Sequence, residues 1–323
     1  MKKLQKGDEI RVIAPSRSAK ILGDEGIAGA AQVLESMGFK VSFGEHIHTC
    51  DMQNSSPIAE RIADIHAAFA DQNVKAILTS IGGFNSNELL PYLNYELIAK
   101  NPKILCGFSD ITALATAIHH KCGFITYSGP HFSSFRMKGL QAYQTKYFRE
   151  CFMQQEAYDI VPSEKWSDDL WFLDQDKRQY EPTEWKVYTE GQAQGKLYGG
   201  NLCTLNLLQG TAYIPELKDC ILFVEDDEET NPETFARDLT SLLQVASGVK
   251  ALLIGRFQRV SKVTNEQLHF ILDKHPLLQD IPVMYDIDFG HTQPIMTLPI
   301  GGEIAIDTAR KKISIEANIW DIS

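Results

Sequence analysis

Val74 to Ile81 is a near-continuous apolar run that ends at Gly82-Gly83. A strand of that pattern has no face to offer water, so it belongs in a sheet covered on both sides, and such sheets are mostly parallel. The surrounding chain agrees. Strand-like segments at residues 9–16, 40–45, 104–106 and 124–128 alternate with helical patterns at 26–38, 58–69 and 111–121, as expected of a parallel sheet built from strand–helix–strand units. Ser56-Pro57 reads as a cap followed by a first-turn proline. Ile58, Ile62, Ile65 and Phe69 form the core stripe of the helix behind it, with His66 off that stripe in solvent. Sheets of this kind collect ligands at the carboxyl ends of their strands.

Two of those ends are chemically distinctive. Ile104-Leu105-Cys106 turns through Gly107-Phe108-Ser109-Asp110 into a helix whose apolar residues Ile111, Leu114, Ala115 and Ile118 recur at helical spacing. Ser109 therefore lies on a strand-to-helix turn, its hydroxyl at the mouth of the sheet and beside the partly positive start of a helix. Serine is also a favoured helix cap, and Ile111 stands where a GxSxG elbow has its second glycine, so nucleophile and plain cap both stay open. Gly82-Gly83 allows either a tight turn or the unobstructed approach of a backbone amide to a ligand. No GxGxxG follows the first strand, which disfavours a dinucleotide-binding loop.

The second half resumes the alternation after an interruption. Between residues 155 and 189 the pattern breaks into prolines and charges, as in a connection between domains. Trp166, Trp171, Phe172 and Trp185 nevertheless crowd into it, and aromatics in a long loop either pin it down or line a pocket. Gly199-Gly200-Asn201 then opens a helix through Leu202, Leu205 and Leu208. Residues 219–224 form a strand ending on the run Glu225-Asp226-Asp227-Glu228-Glu229, Asn231-Pro232 caps a helix with Phe235, Leu239 and Leu242 on its core face, and residues 282–289 form a strand that delivers Gly290-His291. The tail at 302–317 reads as two short strands joined at Ala309-Arg310-Lys311. With 323 residues, long for one compact core, the chain divides into 1–154, a linker or insert at 155–189, and 190–323.

Composition narrows the partners. A formal net charge of −11, with the acids scattered, argues against a nucleic-acid or anionic-membrane surface, and no apolar run reaches membrane-spanning length. The basic start Met1-Lys2-Lys3 has no apolar stretch behind it, unlike a secretory signal. The six cysteines form no CxxC pair. A cytoplasmic protein without a zinc site is the expectation. Three strand ends carry reactive groups in the order Ser109, Glu225, His291, an order also found in alpha/beta hydrolases. Two other readings of the acidic run stay open, a solvated loop and a divalent-metal loop, although its spacing fits no EF-hand. With nine histidines in the chain His291 alone carries little weight, and His131 is a competing base that we assign to packing or to the cleft lining.

VIAPS at 12–16, SIGGFNSNELL at 80–90, GFSDIT at 107–112, GGNL at 199–202, LFVED at 222–226 and DFGHTQP at 288–294 follow one another across both halves. Together they make the chain resemble the serine peptidase family that contains the LD-carboxypeptidases (muramoyltetrapeptide carboxypeptidases) and the microcin C self-immunity peptidases. The resemblance implies an α/β fold, with an N-terminal flavodoxin-like, mostly parallel sheet sandwich, a smaller C-terminal swivelling β/α domain, and the site in the cleft between them. It implies Ser109 as nucleophile, His291 as general base and then general acid, Glu225 as the carboxylate that orients the imidazole, and the backbone amides of Gly83 and Asp110 as an oxyanion hole. It also implies a homodimer, and neither a metal nor an organic cofactor.

The family divides by substrate. LD-carboxypeptidases remove the terminal D-alanine of a murein tetrapeptide, while the immunity-type members cut the bond joining a peptide or aminoacyl group to a nucleotide-like antibiotic. SIGGFNSNELL and the tryptophan-bearing insert look more like the immunity type. In that reading Trp166, Trp171 or Trp185 stacks on a nucleobase, a contact worth about 1–3 kcal/mol, and Asn201 contacts the substrate. The carboxylates of Asp226, Asp227, Glu228 and Glu229 around Glu225 would repel a phosphate-bearing substrate, which keeps the murein peptide as the alternative. A third reading is a two-domain ligand-binding protein without chemistry, against which the intact Ser109, Glu225 and His291 stand.

Overall fold

The computed structural model describes residues 2–154 and 156–316. Its first sheet has six strands. Lys40–Phe43, Glu9–Ile13, Val74–Thr79, Ile104–Gly107 and Thr126–Ser128 are parallel neighbours in that order, and Leu298–Ile300 pairs antiparallel with the last of them. Val74–Thr79 lies near the centre and is buried except at Lys75, as its apolar run requires. Side-chain alternation divides such strands between two faces. Ile104 and Cys106 join Ala30 and Leu34 of the helix Gly23–Ser36, while Leu105 and Ile77 join Phe69 of Ile58–Ala70 and Leu114 of Ile111–Cys122.

The second sheet has eight strands, in the order Tyr158–Ile160, Lys312–Ile315, Glu303–Asp307, Gln192–Asn201, Ile221–Glu225, Ala251–Gly255, Val283–Ile287 and Lys186–Thr189. Its four central strands, from Gln192–Asn201 to Val283–Ile287, are parallel. Gln192–Asn201 serves two partners: residues 192–196 run antiparallel to Glu303–Asp307, and residues 197–201 run parallel to Ile221–Glu225. Asn231 caps the helix Pro232–Val245 through a reciprocal bond with Thr234, and Phe235, Leu239 and Leu242 are buried on its inner face, as their spacing predicts. The tail forms the expected hairpin, Glu303–Asp307 with Lys312–Ile315, although Ala317 lies outside the described residues.

Several expectations are corrected. Residues 155–189 are more than a linker, because Tyr158–Ile160 and Lys186–Thr189 are the two edge strands of the second sheet. The prolines and charges around these two strands interrupt the alternation by which a strand is read from sequence. The boundary at 190 is crossed in the other direction by Leu298–Ile300, which returns to the first sheet. Ser56 does not cap its helix. Pro57 occupies the cap position with no side-chain bond, and Ser56 Oγ donates to the His46 carbonyl. His66 is half-buried rather than solvated, its Nε2 accepting from the Asn94 amide at 2.9 Å, and burial lowers its pKa.

The two sheets meet where Gly200 and Asn201 reach the helix that follows Ser109. The Asn201 amide donates to Thr112 Oγ1 at 3.0 Å, and a Cβ on Gly200, whose φ is 138°, would lie 2.5 Å from the same oxygen. Close approach and backbone conformation both require glycine here. Gly200→Ala is therefore expected to lower the unfolding free energy by about 1–3 kcal/mol, measured by urea denaturation. An unchanged transition would mean that this seam is loosely packed.

Candidate active site

Ser109 sits between the strand Ile104–Gly107 and the helix Ile111–Cys122 with a φ of 61°. A non-glycine residue in this left-handed region costs on the order of 1–3 kcal/mol and persists only where its surroundings hold it. Gly107 leaves the room beneath the turn, since a Cβ there would lie 2.2 Å from Thr79 Oγ1. Asp110 supplies the hold. Its buried carboxylate accepts from the amides of Asn85 (3.1 Å) and Ser86 (2.9 Å) and from the Ser16 hydroxyl, and its carbonyl accepts from Ser86 Oγ at 2.7 Å. Burial raises the pKa of the Asp110 carboxyl against the pull of these hydrogen bonds. One side chain thus ties the turn to the loops after the first and third strands. The latter loop carries Gly82-Gly83, and a Cβ on Gly82 would come 3.2 Å from Ser109 Oγ. Neither the Gly83 nor the Asp110 amide has an acceptor among the described residues.

Glu225 and His291 arrive from the second sheet. Glu225 ends the strand Ile221–Glu225, and His291 follows Val283–Ile287, with Ala251–Gly255 between those two strands. Two glycines clear the space for the carboxylate. A Cβ on Gly255 would lie 2.8 Å from Glu225 Cβ, and one on Gly290, whose φ is 98°, 2.6 Å from Glu225 Oε2. His291 Nδ1 lies 2.7 Å from Glu225 Oε2, and His291 Nε2 lies 3.0 Å from Ser109 Oγ. The three strand ends singled out from the sequence are therefore joined in one line of hydrogen bonds.

The charges around this line are unequal. Burial by itself would lower the His291 pKa, but the Glu225 charge and hydrogen bond, and beyond them Asp227 and Asp226, lift it to about 9. Burial pushes Asp226 up to about 7, with Glu225 and Asp227 adding to the effect. His131 has the opposite environment: burial and the neighbouring His291 bring it down to about 3, and its Nδ1 is 2.7 Å from Thr79 Oγ1. The Phe108 ring lies tilted against His131, with centroids 4.3 Å apart, and meets the His291 ring edge-on at 5.3 Å. His131 is a neutral packing residue under the turn. The acidic run is divided, with Glu225 and Asp226 buried and Glu228 and Glu229 exposed. Among the described residues, no group of three or more His, Cys, Asp or Glu side chains is placed to hold a metal ion.

The residues expected to touch substrate fare differently. Trp185 is 0 % exposed and donates its Nε1–H to Asp288 Oδ2 at 2.9 Å, so it cannot stack on a ligand, and that expectation is corrected. Its polar tip needed a buried partner, which only the fold could supply. Trp166 is half-buried, with the guanidinium carbons of Arg256 and Arg259 each 4.8 Å from its ring. Trp171 is half-buried against Phe172, in a segment where Leu170, Phe172 and Leu173 are exposed. Asn201 caps the helix Leu202–Asn206, its Oδ1 accepting from the Thr204 amide and hydroxyl, which leaves Nδ2, 3.5 Å from Asp226 Oδ1, to face the acidic run. The clamp role of the Asp110 side chain was missed. An acid just after the turn serine was its only trace in the sequence.

The arrangement is accompanied by close relatives. The LD-carboxypeptidase N-terminal domain family matches residues 10–129, and the LD-carboxypeptidase C-terminal domain family matches residues 194–306. A Bacillus subtilis (strain 168) protein named "Putative carboxypeptidase YocD" is 50% identical over 98% of this chain and 98% of its own. The crystal structure of an MccF-like protein from Bacillus anthracis str. Ames superposes with a TM-score of 0.95 at 47% identity, covering 98% of each chain. The Escherichia coli microcin C7 self-immunity protein MccF is 31% identical over 96% of this chain and 93% of its own. A structure of MccF in complex with glutamyl sulfamoyl guanosine has a TM-score of 0.87 at 31% identity, covering 98% of this chain and 97% of that one. No helix among the described residues is long and apolar enough to cross a membrane.

The His291 environment makes stability depend on pH. A histidine whose folded-state pKa rises from 6.5 to about 9 contributes stability that is complete below pH 6.5 and is lost as the pH rises through about 9. Asp226, raised from 3.8 to about 7, likewise loses its contribution as pH rises, in the lower window. Urea unfolding between pH 6 and 10 should therefore show declining stability, with the upper part of the decline flattened in Glu225→Gln. Parallel curves for the two proteins would contradict the coupling of Glu225 to His291.

Proposed function

Because the chain belongs to the LD-carboxypeptidase family of serine peptidases, we propose that Ser109, His291 and Glu225 form its catalytic triad. The observation that carries this reading is the continuous contact from Glu225 Oε2 through the imidazole to Ser109 Oγ, at 2.7 and 3.0 Å. Ser109 Oγ attacks the scissile carbonyl and passes its proton to His291 Nε2, while Glu225 holds the ring by its Nδ1–H and stabilises the imidazolium. The oxyanion is received by the free amides of Gly83 and Asp110, each worth about 3 kcal/mol in such sites. As the tetrahedral adduct collapses, His291 returns the proton to the leaving amine. Water then repeats the sequence on the acyl-enzyme, and Ser109 regains its proton.

For the substrate, we favour a peptidyl- or aminoacyl-nucleotide conjugate cleaved at its amide or acyl bond. Support comes from the full-length similarity to MccF, which has been solved with glutamyl sulfamoyl guanosine and aspartyl sulfamoyl adenosine, and from Trp171 and Trp166 in the insert, with Asn201 Nδ2 as a polar contact. Removal of D-alanine from murein tetrapeptide is the second reading, favoured by the exposed carboxylates of Glu228 and Glu229 and by the murein tetrapeptide carboxypeptidase of Pseudomonas aeruginosa among the relatives, 25% identical over 93% of this chain and 94% of its own. The reading includes the homodimer expected from the resemblance and a cytoplasmic location, which suits six unpaired cysteines.

Purified protein offered murein tetrapeptide and an aminoacyl sulfamoyl-adenosine in parallel, with products read by mass spectrometry, tests this. Free amino acid from the conjugate alone is the expected result, with a loss of at least about 10⁴-fold in Ser109→Ala. D-alanine alone would move the protein to cell-wall recycling. Failure of a fluorophosphonate to label Ser109 would favour a non-catalytic binder. Since the base must be neutral, kcat/KM should climb with pH toward the His291 value of about 9, and Glu225→Gln should move that midpoint down.

A further inference from the structure

His291 is flanked on both sides by residues that the 156–189 insert holds. On one side is Asp288, fully buried, whose carboxylate oxygens accept from Arg256 Nη1 at 3.0 Å, the Ser163 amide at 2.9 Å and Trp185 Nε1 at 2.9 Å, with Ser163 Oγ at 3.1 Å, where its hydroxyl is shared with Thr183 Oγ1 at 2.8 Å and the Lys165 carbonyl at 3.2 Å. On the other is Gln293. Its backbone exchanges hydrogen bonds with Ser167 at 2.9 and 2.8 Å, its Oε1 accepts from Arg178 at 3.1 Å, and its Nε2 donates to the His291 carbonyl at 3.2 Å. Arg256 joins the two sides. It is buried under the face of Trp166, and besides Asp288 it bonds the Asp286 carbonyl at 2.7 Å and Thr292 Oγ1 at 3.4 Å. Every one of the insert residues in this network, Ser163, Trp166, Ser167, Arg178 and Trp185, lies between the two segments that match the family.

A buried carboxylate deprived of its donors is strongly destabilised, so the Asp288 side chain and the insert must keep their relative positions as long as both are folded. The next residues are Phe289, Gly290 and His291, and the last reaches both Glu225 and Ser109. We propose that the insert is a positioning clamp for His291, with Ser163 and Trp185 acting through Asp288, and Ser167 and Arg178 acting through Gln293. The proposal rests on the reading of His291 as the general base. Ser163, Arg178 and Trp185 are positioning residues in it and touch no reacting atom. A 1 Å displacement of a catalytic group can cost about 10²-fold in rate, which is the lever such a clamp controls.

The experiment follows the rate and pH dependence of Ser109 labelling by a fluorophosphonate in the full chain, with Trp185→Phe and Ser163→Ala. The first removes one N–H and keeps the ring; the second removes one hydroxyl. The charged and titratable groups facing the imidazole are Glu225, Asp226 and Asp227 from the end of one strand and His131 from under the turn. None of these is altered in either variant. A loosened clamp lengthens the Glu225–His291 contact and so lowers the pH midpoint of labelling. We expect about tenfold slower labelling, a lower midpoint, and less than about twofold change in KM for an ester substrate. Rates and midpoints equal to wild type in the folded variants would overturn the clamp. Should Trp185→Phe not fold, Ser163→Ala decides alone. His291→Ala run alongside separates the two levels: wild-type labelling in that variant would sink the base assignment itself, whereas lost labelling there with unaffected Ser163→Ala and Trp185→Phe would sink only the clamp.

Discussion

A carboxylate placed as deep as Glu225 must meet a donor, and here the donor is an imidazole 2.7 Å away on another strand end. Much of the surrounding structure can be understood as making that contact possible. Gly255 and Gly290 remove side chains that would occupy the same space, and the three parallel strands that carry Glu225, Gly255 and His291 set their separation. The low-dielectric surroundings that make an unpaired Glu225 unfavourable also strengthen its hold on the imidazole. The outcome is a ring whose two nitrogens are aimed in opposite directions, one at the acid and one at Ser109.

Ser109 belongs to the other sheet, so the site exists only if the two sheets are held in register. Three ties do this from different directions. Leu298–Ile300 leaves the second half of the chain and pairs with Thr126–Ser128 in the first sheet. Asn201 bonds Thr112 on the helix that follows Ser109. The insert, which contributes an edge strand to each end of the second sheet, also grips the His291 loop through Asp288 and Gln293. A segment that reads as a mere connection thus makes some of the most buried polar contacts near the site.

The legible part of the sequence was the part governed by local periodicity. Val74–Thr79 is buried as its composition demands, Phe235, Leu239 and Leu242 pack as their spacing requires, and the turn at Ser109 is where an apolar strand gives way to a helical repeat. The two edge strands within the insert were not legible, because the prolines and charges around Tyr158–Ile160 and Lys186–Thr189 interrupt the alternation that marks a strand. Nor was the fate of individual polar and aromatic side chains. Trp185 differs from Trp171 in nothing a sequence displays, yet one is sealed against Asp288 and the other lies at an exposed tip. The same is true of Asn201, whose oxygen is spent on a helix cap.

Hydrophobic periodicity and turn chemistry are local properties, and from them the sequence alone specified a mostly parallel first sheet covered on both faces and strand ends near Ser109, Glu225 and His291. That these ends meet, that Asp110 braces the turn, that His131 lies neutral beneath it, and that the insert grips the His291 loop all follow from the folded chain as a whole. Those outcomes depend on distances between segments far apart in the chain and on which polar groups lose their water. Both are set by packing, and no short stretch of residues contains them.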